Sequence, residues 1–347
     1  MAEFHYVISA RQIKDDAFTA EPGPVTFLKV PARARDLSPK HIVKGRDARH
    51  DWTNDVTGLA DGDQNPLSIS PVGDILVFVH GYNNTTKIVL KRHRQLIKDL
   101  KAEGWKGLVI AFDWPSGNQT LNYLEDRSDA ADVALELVKK CISLIKFGQE
   151  NEFKTNIHLL GHSTGAYVIT EAFLQSDRDG KLFKSPWRLG QVALIGGDIS
   201  SRSLGAGVAW SAPMFHRIMR LTNYSNPYDS VLAVSNAKRL GTSPRVGRVG
   251  LPDDPHPKAV NVDCGNYFSG LDPKKSTHFG TWNHSWHIGD RVFARDLAMT
   301  MEGAIDRNAI PTRNQSRFGF LELQNAKRPA NMANWGIKDA AKDEFRA

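Results

Sequence analysis

Five consecutive residues, Gly161-His162-Ser163-Thr164-Gly165, have the types and spacing that turn a serine into a nucleophile. A serine hydroxyl attacks poorly until it stands exposed on a tight turn beside a base. Glycine on both sides permits such a turn, because a side chain at 161 or 165 would meet neighbouring backbone. The chemistry is attack on an acyl carbon with a covalent intermediate. It needs a base to take the proton and N–H donors to hold the oxyanion.

In serine sites built on a strand-to-helix turn, the acid and then the base follow the serine along the chain. The late histidines are His256, His278, His284 and His287. Only His284 and His287 fall just ahead of the last helical pattern. Asn283-His284-Ser285-Trp286 places His284 where a base can reach over the C-terminal edge of a sheet, whereas His287 is expected inside the first helical turn. Candidate acids are Asp198, Asp229, Asp263 and Asp272. Asp229 follows a strand and precedes an apolar run. That place suits an acid that fixes the His284 tautomer, and it equally suits a helix N-cap. Asp198, at the end of the 191–197 run, is the reserve acid. The expected oxyanion donors are the N–H groups of Thr164 and Tyr82, the second from the loop His80-Gly81-Tyr82-Asn83-Asn84. His80 is expected to be packed and hydrogen-bonded rather than the base. Asn83, His162, Trp114 and Trp286 are the candidate pocket residues; Asp113-Trp114-Pro115 either lines the pocket or merely breaks a strand. The spacing of His278, His284 and His287 matches no familiar metal-ligand pattern, and no carboxylate completes it, so neither metal nor cofactor is expected.

Elements must position these groups. The apolar run over 74–80 reads as a strand buried on both faces. A helix over 85–103 follows, with Thr85 or Thr86 as N-cap and Gly104 as the stop. A strand over 107–114 comes next, then a helix over 121–147 with apolar positions three and four apart. The strand over 156–161 delivers the serine turn, and a helix starts at 165. Further strands are expected over 191–197, 218–224 and 260–268, and a closing helix over 286–301. Alternating strands and helices predict an α/β chain with a mainly parallel sheet covered on both faces. Two N-terminal strands, 4–10 and 25–31, flank the turn-rich Glu21-Pro22-Gly23-Pro24, and 32–73 reads as a polar arm. The expected organisation is an N-terminal segment 1–73 packed on a catalytic unit 74–302, with a surface extension 303–347. Residues 199–219 read either as a lid or as an ordinary amphipathic core segment.

Composition narrows the class. The chain has 347 residues, 41% hydrophobic and 24% charged, which is ordinary for a globular protein and excludes a wholly disordered or fibrous one. Two cysteines, Cys141 and Cys264, cannot build a disulfide framework; they fit a reducing compartment, though one bridge stays open. The net charge of +7 is spread along the chain. Its densest run, Lys91-Arg92-His93-Arg94, lies on the helix over 85–103 and reads as a solvated face, so no specific nucleic-acid partner is expected. Glu3, Arg11 and Lys14 precede any long apolar run, unlike a signal peptide, and no stretch approaches the roughly 18 apolar residues of a membrane span. The expectation is a cytoplasmic protein of undetermined oligomeric state.

The segments Val77-Phe-Val-His-Gly-Tyr-Asn83, Phe112-Asp-Trp-Pro-Ser116, Gly161-His-Ser-Thr-Gly165, Asn283-His-Ser-Trp286 and Arg295-Asp-Leu297 together resemble an α/β-hydrolase. The closer likeness is to a bacterial subgroup of hypothetical esterases or lipases, a domain of unknown function, and it covers roughly residues 74–300. One departure stands out. The subgroup tends to end the strand after the elbow helix with an Ala-Pro-Asp-like segment; this chain has Gly196-Gly197-Asp198, which would widen the site. The resemblance implies a serine hydrolase cleaving a small acyl ester through Ser163, His284 and Asp229. The same triad would also serve an acyltransferase, amidase, thioesterase or lactonase, and the scaffold could instead be a non-catalytic binding protein.

Overall fold

Residues 75–79 are apolar at every position, so a strand built from them must be covered on both sides. In the computed structural model all five are fully buried. The structure describes residues 4–60, 72–116, 130–143 except 132, 154–179, 187–238, 243–317 and 319–329. Their strands are β1 (Phe4–Lys14), β2 (Ala17–Pro31), β3 (Val72–Val79), β4 (Leu108–Asp113), β5 (Lys154–His162), β6 (Leu189–Ile195), β7 (Ile218–Ser225), β8 (Ala259–Asp263), β9 (Arg313–Gln315) and β10 (Leu321–Leu323). They form one sheet in the order β2-β1-β4-β3-β5-β6-β7-β8-β10-β9. Pairing is parallel from β1 across to β10; only the edge strands β2 and β9 run antiparallel to their neighbours.

The two faces follow from the period of two along each strand. Ile75, Val77, Val79, Ile110, Phe112, Ile157 and Leu159 point to one core. Leu76, Phe78, Val109 and Leu160 point to the other. The first face is covered by α1 (Ala48–Ala60) through Trp52 and Val56, by the helical stretch over 133–143, and by α3 (Gly165–Arg178). The second is covered by α2 (Thr86–Ala102) and α5 (Arg291–Glu302), through Leu96, Leu100, Phe293 and Leu297. The remaining longer helix, α4 (Ser230–Ala237), follows β7. Thr85 caps α2 by accepting from the Ile88 N–H, and Gly104, at φ +86, follows its end. Among the described residues no helix is long and apolar enough to cross a membrane.

Several elements differ from the sequence reading. The N-terminal hairpin turns at Asp15-Asp16, both with positive φ, and β2 runs straight through Pro22-Gly23-Pro24. Two consecutive left-handed residues suit the twist of a tight hairpin, and aspartate tolerates that region; Pro22 and Pro24 are accommodated because β2 is an edge strand. Within the supposed polar arm, 48–60 forms α1, whose low polarity contrast hid a buried stripe of Trp52, Val56 and Ala60. The strand expected over 260–268 ends at Asp263 and gives way to a short helix, Gly265–Ser269. The closing helix expected over 286–301 begins only at Arg291, where Asp290 caps α5 from its side chain; a separate helical turn over Trp282–Ser285 precedes it. The tail is no mere surface extension as far as 329, since β9 and β10 add to the sheet beside β8. Parts of the helix expected over 121–147 lie outside the described residues; a π-helical turn occupies Leu137–Ile142.

Candidate active site

The end of β5 meets the start of α3 at Ser163, whose φ is +55. Serine reaches this left-handed region only under constraint, and strain of this kind collects where side chains must be aimed. The surroundings supply the constraint. A Cβ on Gly165 would lie 2.3 Å from the Val79 carbonyl oxygen, and one on Gly161 would lie 2.8 Å from the Ile169 Cδ1. Backbone bonds clamp the turn: Ser163 N–H donates to the Ile195 carbonyl and Asp198 N–H donates to the Ser163 carbonyl, both at 3.0 Å. Ser163 keeps 7% exposure. Thr164 is the N-cap residue of α3, so the positive end of a 14-residue helix lies at the serine.

His284 and Asp229, far apart in sequence, meet in the interior. The His284 Nδ1–H donates to Asp229 Oδ2 at 2.7 Å. The other carboxylate oxygen, Oδ1, accepts from the Leu232 N–H at 2.9 Å and caps α4. Asp229 thus bonds His284 with one oxygen and caps α4 with the other. The His284 ring sits against Gly196, whose φ is +52; a Cβ there would lie 3.0 Å from Cε1 and 3.1 Å from Nδ1. The space expected from the Gly196-Gly197 departure is therefore taken by the imidazole. Ser163 hydrogen-bonds to Ile195 and His284 abuts Gly196, so the two groups adjoin consecutive residues at the end of β6.

His162 lines no open pocket. Its ring is buried, its Nε2–H donates to the His284 carbonyl at 3.2 Å, and its Nδ1 accepts from Arg92 Nη1 at 3.0 Å. Burial, then the nearby Arg92 and His284, push its pKa well below the usual histidine range. Arg92 and His93 are both buried, which corrects the reading of residues 91–94 as a solvated face. On a helix, alternate charges fall on different sides, and here two of the four turn toward the sheet.

The loop after β3 presses on Ser163. A Cβ on Gly81 would stand 2.6 Å from Ser163 Cβ, so only glycine lets the chain pass there. Asn83, at φ +53, and Asn84 complete the turn; Asn84 Nδ2 donates to the carbonyls of Gly81 and Tyr82 at 2.8 and 2.9 Å. Beneath it lies an ionic network the sequence did not reveal. Arg11 Nε donates to Asp113 at 2.9 Å, and its Nη2 donates to the Asn84 carbonyl at 2.8 Å. Ser9 Oγ donates to the same carboxylate at 2.8 Å. Burial works against the Asp113 charge, but the Arg11 charge and the bonds from His80 and Arg11 outweigh it and hold its pKa below the ordinary carboxylate range. His80 bonds the Gly81 carbonyl through Nδ1, 2.8 Å, and is a packed residue; burial lowers its pKa against the pull of Asp113.

Other expected site residues lie elsewhere. Trp114 is fully buried, stacked on His80, with its Nε1–H donating to the His80 carbonyl; it braces the loop from below. Trp286 is fully buried in the second core, between Phe268 and Phe293. Neither offers surface to a substrate. Asp198 Oδ1 accepts from Ser235 Oγ at 2.7 Å rather than bonding His284. His256 stacks on Phe215 and His278 packs edgewise on Trp282. His287 is buried just outside α5, not in its first turn, and stacks on Trp286. Of the possible lid, Leu204, Met214 and Phe215 are buried in the first core.

A parallel sheet flanked by helices, with a strained serine turn at the C-terminal edge of a central strand, defines the α/β-hydrolase class. The chain belongs to the family described as alpha/beta hydrolase of unknown function (DUF900), which matches residues 63–268. Among curated proteins no sequence relative matches it. Similar solved structures include carboxyl esterase 2 from the mycorrhizal fungus Tuber melanosporum, 11% identical over 88% of each chain with a TM-score of 0.37. A lipase-esterase related protein from Clostridium acetobutylicum is 13% identical over 67% of this chain and 94% of its own, with a TM-score of 0.37. A cutinase-like protein from Cryptococcus sp. is 14% identical over 67% of this chain and 96% of its own, with a TM-score of 0.35.

Proposed function

We propose that the protein is a serine hydrolase of the carboxylesterase type, acting on a small acyl ester. The observation that carries this reading is the buried 2.7 Å contact between His284 Nδ1 and Asp229 Oδ2, beside a serine at positive φ. With its Nδ1 proton held by the carboxylate, His284 presents Nε2 as the lone pair that accepts the serine proton. Ser163 Oγ adds to the ester carbonyl as His284 takes that proton. The tetrahedral oxyanion is held by the Thr164 and Tyr82 N–H groups, with the α3 dipole behind them. Collapse expels the alcohol, to which His284 returns the proton. Water, activated by the same imidazole, then releases the acid from the acyl-enzyme. No metal or cofactor enters these steps.

The test is a fluorophosphonate probe followed by mass mapping of the adduct. Modification is expected on Ser163 in the native protein, with none at that position in S163A and strongly slowed labelling in His284→Ala. Labelling that is as fast in His284→Ala as in the native chain would remove His284 as the base. An ester, amide, thioester and lactone panel, run with and without added alcohol acceptor, then separates hydrolysis from transfer.

A further inference from the structure

Arg92 brings a positive charge into the interior, and its partners there are neutral. It is 5% exposed on α2. Its side-chain bonds among the described residues go to His162 Nδ1, to the Phe279 carbonyl and to Ser285 Oγ. Burial lowers its pKa to about 10, which leaves it cationic at neutral pH. A charge in such a place is costly unless fully hydrogen-bonded. Two of the three acceptors adjoin the base: His162 bonds the His284 carbonyl and Ser285 is the next residue, while Phe279 lies on the segment that leads to it. Resting on the reading of His284 as that base, we propose that Arg92 is a positioning residue that fixes the His162 tautomer and clamps the 279–285 segment carrying His284.

The chain of bonds has one consistent proton arrangement. Arg92 can only donate, so His162 Nδ1 must accept. The His162 proton is then on Nε2, which donates to the His284 carbonyl at 3.2 Å. The other guanidinium nitrogen, Nη2, donates to Ser285 Oγ at 3.2 Å, one residue beyond the base, and to the Phe279 carbonyl. Gly280, at φ +104, lets the chain turn over the guanidinium; a Cβ there would stand 3.2 Å from Nη2. His162 is also the residue before the nucleophile. One side chain thus joins the serine turn to the base segment, and Arg92 holds its orientation. A planar fork reaches several acceptors at once in a way an ammonium does not.

The experiment compares Arg92→Met and Arg92→Lys with the native protein in kcat, KM and thermal melting, with S163A alongside. R92M is expected to lose about 10–100-fold in kcat with little change in KM, as misplacement of a catalytic group does. R92K keeps the charge but not the fork, so it should lose about tenfold in kcat. A folded R92M with native kcat would overturn the proposal. If R92M does not fold, R92K decides, and native kcat in R92K overturns it. Turnover in S163A would instead reject the serine mechanism; an inactive S163A with unperturbed Arg92 variants rejects only the role of Arg92.

Discussion

The carboxylate of Asp229 serves two partners with its two oxygens, and the two services can be separated. Asparagine is as good an N-cap as aspartate, so Asp229→Asn should still accept the Leu232 N–H and leave the melting temperature within about 2 °C of native, a shift of under about 0.5 kcal/mol. Its amide nitrogen, however, cannot accept from His284 Nδ1–H. The imidazole then loses the tautomer that leaves Nε2 unprotonated, and kcat should fall about 10³–10⁴-fold. Asp229→Ala loses the cap as well and should melt lower, by about 1 kcal/mol of stability. Circular dichroism melts and ester kinetics on the two variants check this. Near-native turnover in Asp229→Asn would show that the carboxylate only caps α4.

At the level of elements, the site is an edge effect of the parallel sheet. The ends of β3, β5, β6 and β7 bring the loop at 80–84, the serine turn, the Gly196 seat and the lead-in to Asp229 to one rim. Gly196 tests how tightly that rim is built. An alanine there adopts a left-handed backbone at about 1–2 kcal/mol, and its methyl would crowd the His284 ring at 3.0 Å. Gly196→Ala should therefore fold with lowered stability and, on the proposed mechanism, lose at least tenfold in kcat, because the base is displaced. Labelling by the fluorophosphonate should slow in step. A loss of stability with native kcat would show that the ring has room to spare. The Arg11–Asp113 network belongs to the same level: it ties β1 and β4 to the loop that presses on Ser163.

Across the whole molecule, the early and late chain segments lock onto the second cover of the sheet with different chemistry. Late chain segments lock onto the second cover through Asp296, which accepts from Arg313, Tyr224 and Thr312 in a fully buried cluster. Early segments lock on through apolar contacts and a ring contact between half-buried His5 and buried His93. His93 has no hydrogen-bond partner for either ring nitrogen among the described residues and stands edge-on to His5. Burial, then the neighbouring His5 and Arg94, hold its pKa well below the ordinary 6.5; burial and Arg94 lower His5 to about 4. The unfolded chain therefore takes up protons below pH 6.5 that the folded chain refuses. The stability is present above pH 6.5 and is lost as pH falls toward the folded values. His93→Leu, similar in size and without charge, should show a smaller drop in melting temperature between pH 7.5 and pH 5. An equal drop in both proteins would assign the acid sensitivity elsewhere.

The local pattern was enough for the α/β class, the serine turn, and the choice of Asp229 and His284 as candidates. Each rests on a short-range rule: apolar runs for buried strands, glycine spacing for a tight turn, chain order for acid and base. Tertiary structure alone decided the rest. Trp114 and Trp286 carry nothing in their neighbourhoods that tells a pocket wall from a core residue; burial depends on what packs over them. Arg92 lay in a run that reads as solvated because charge is usually solvated, and only the fold brings His162, Phe279 and Ser285 to its guanidinium. Helix α1 and strands β9 and β10 were illegible for a related reason. Their few apolar side chains are worth little to an isolated segment, and they become ordered where a sheet edge and a core face formed by distant residues receive them.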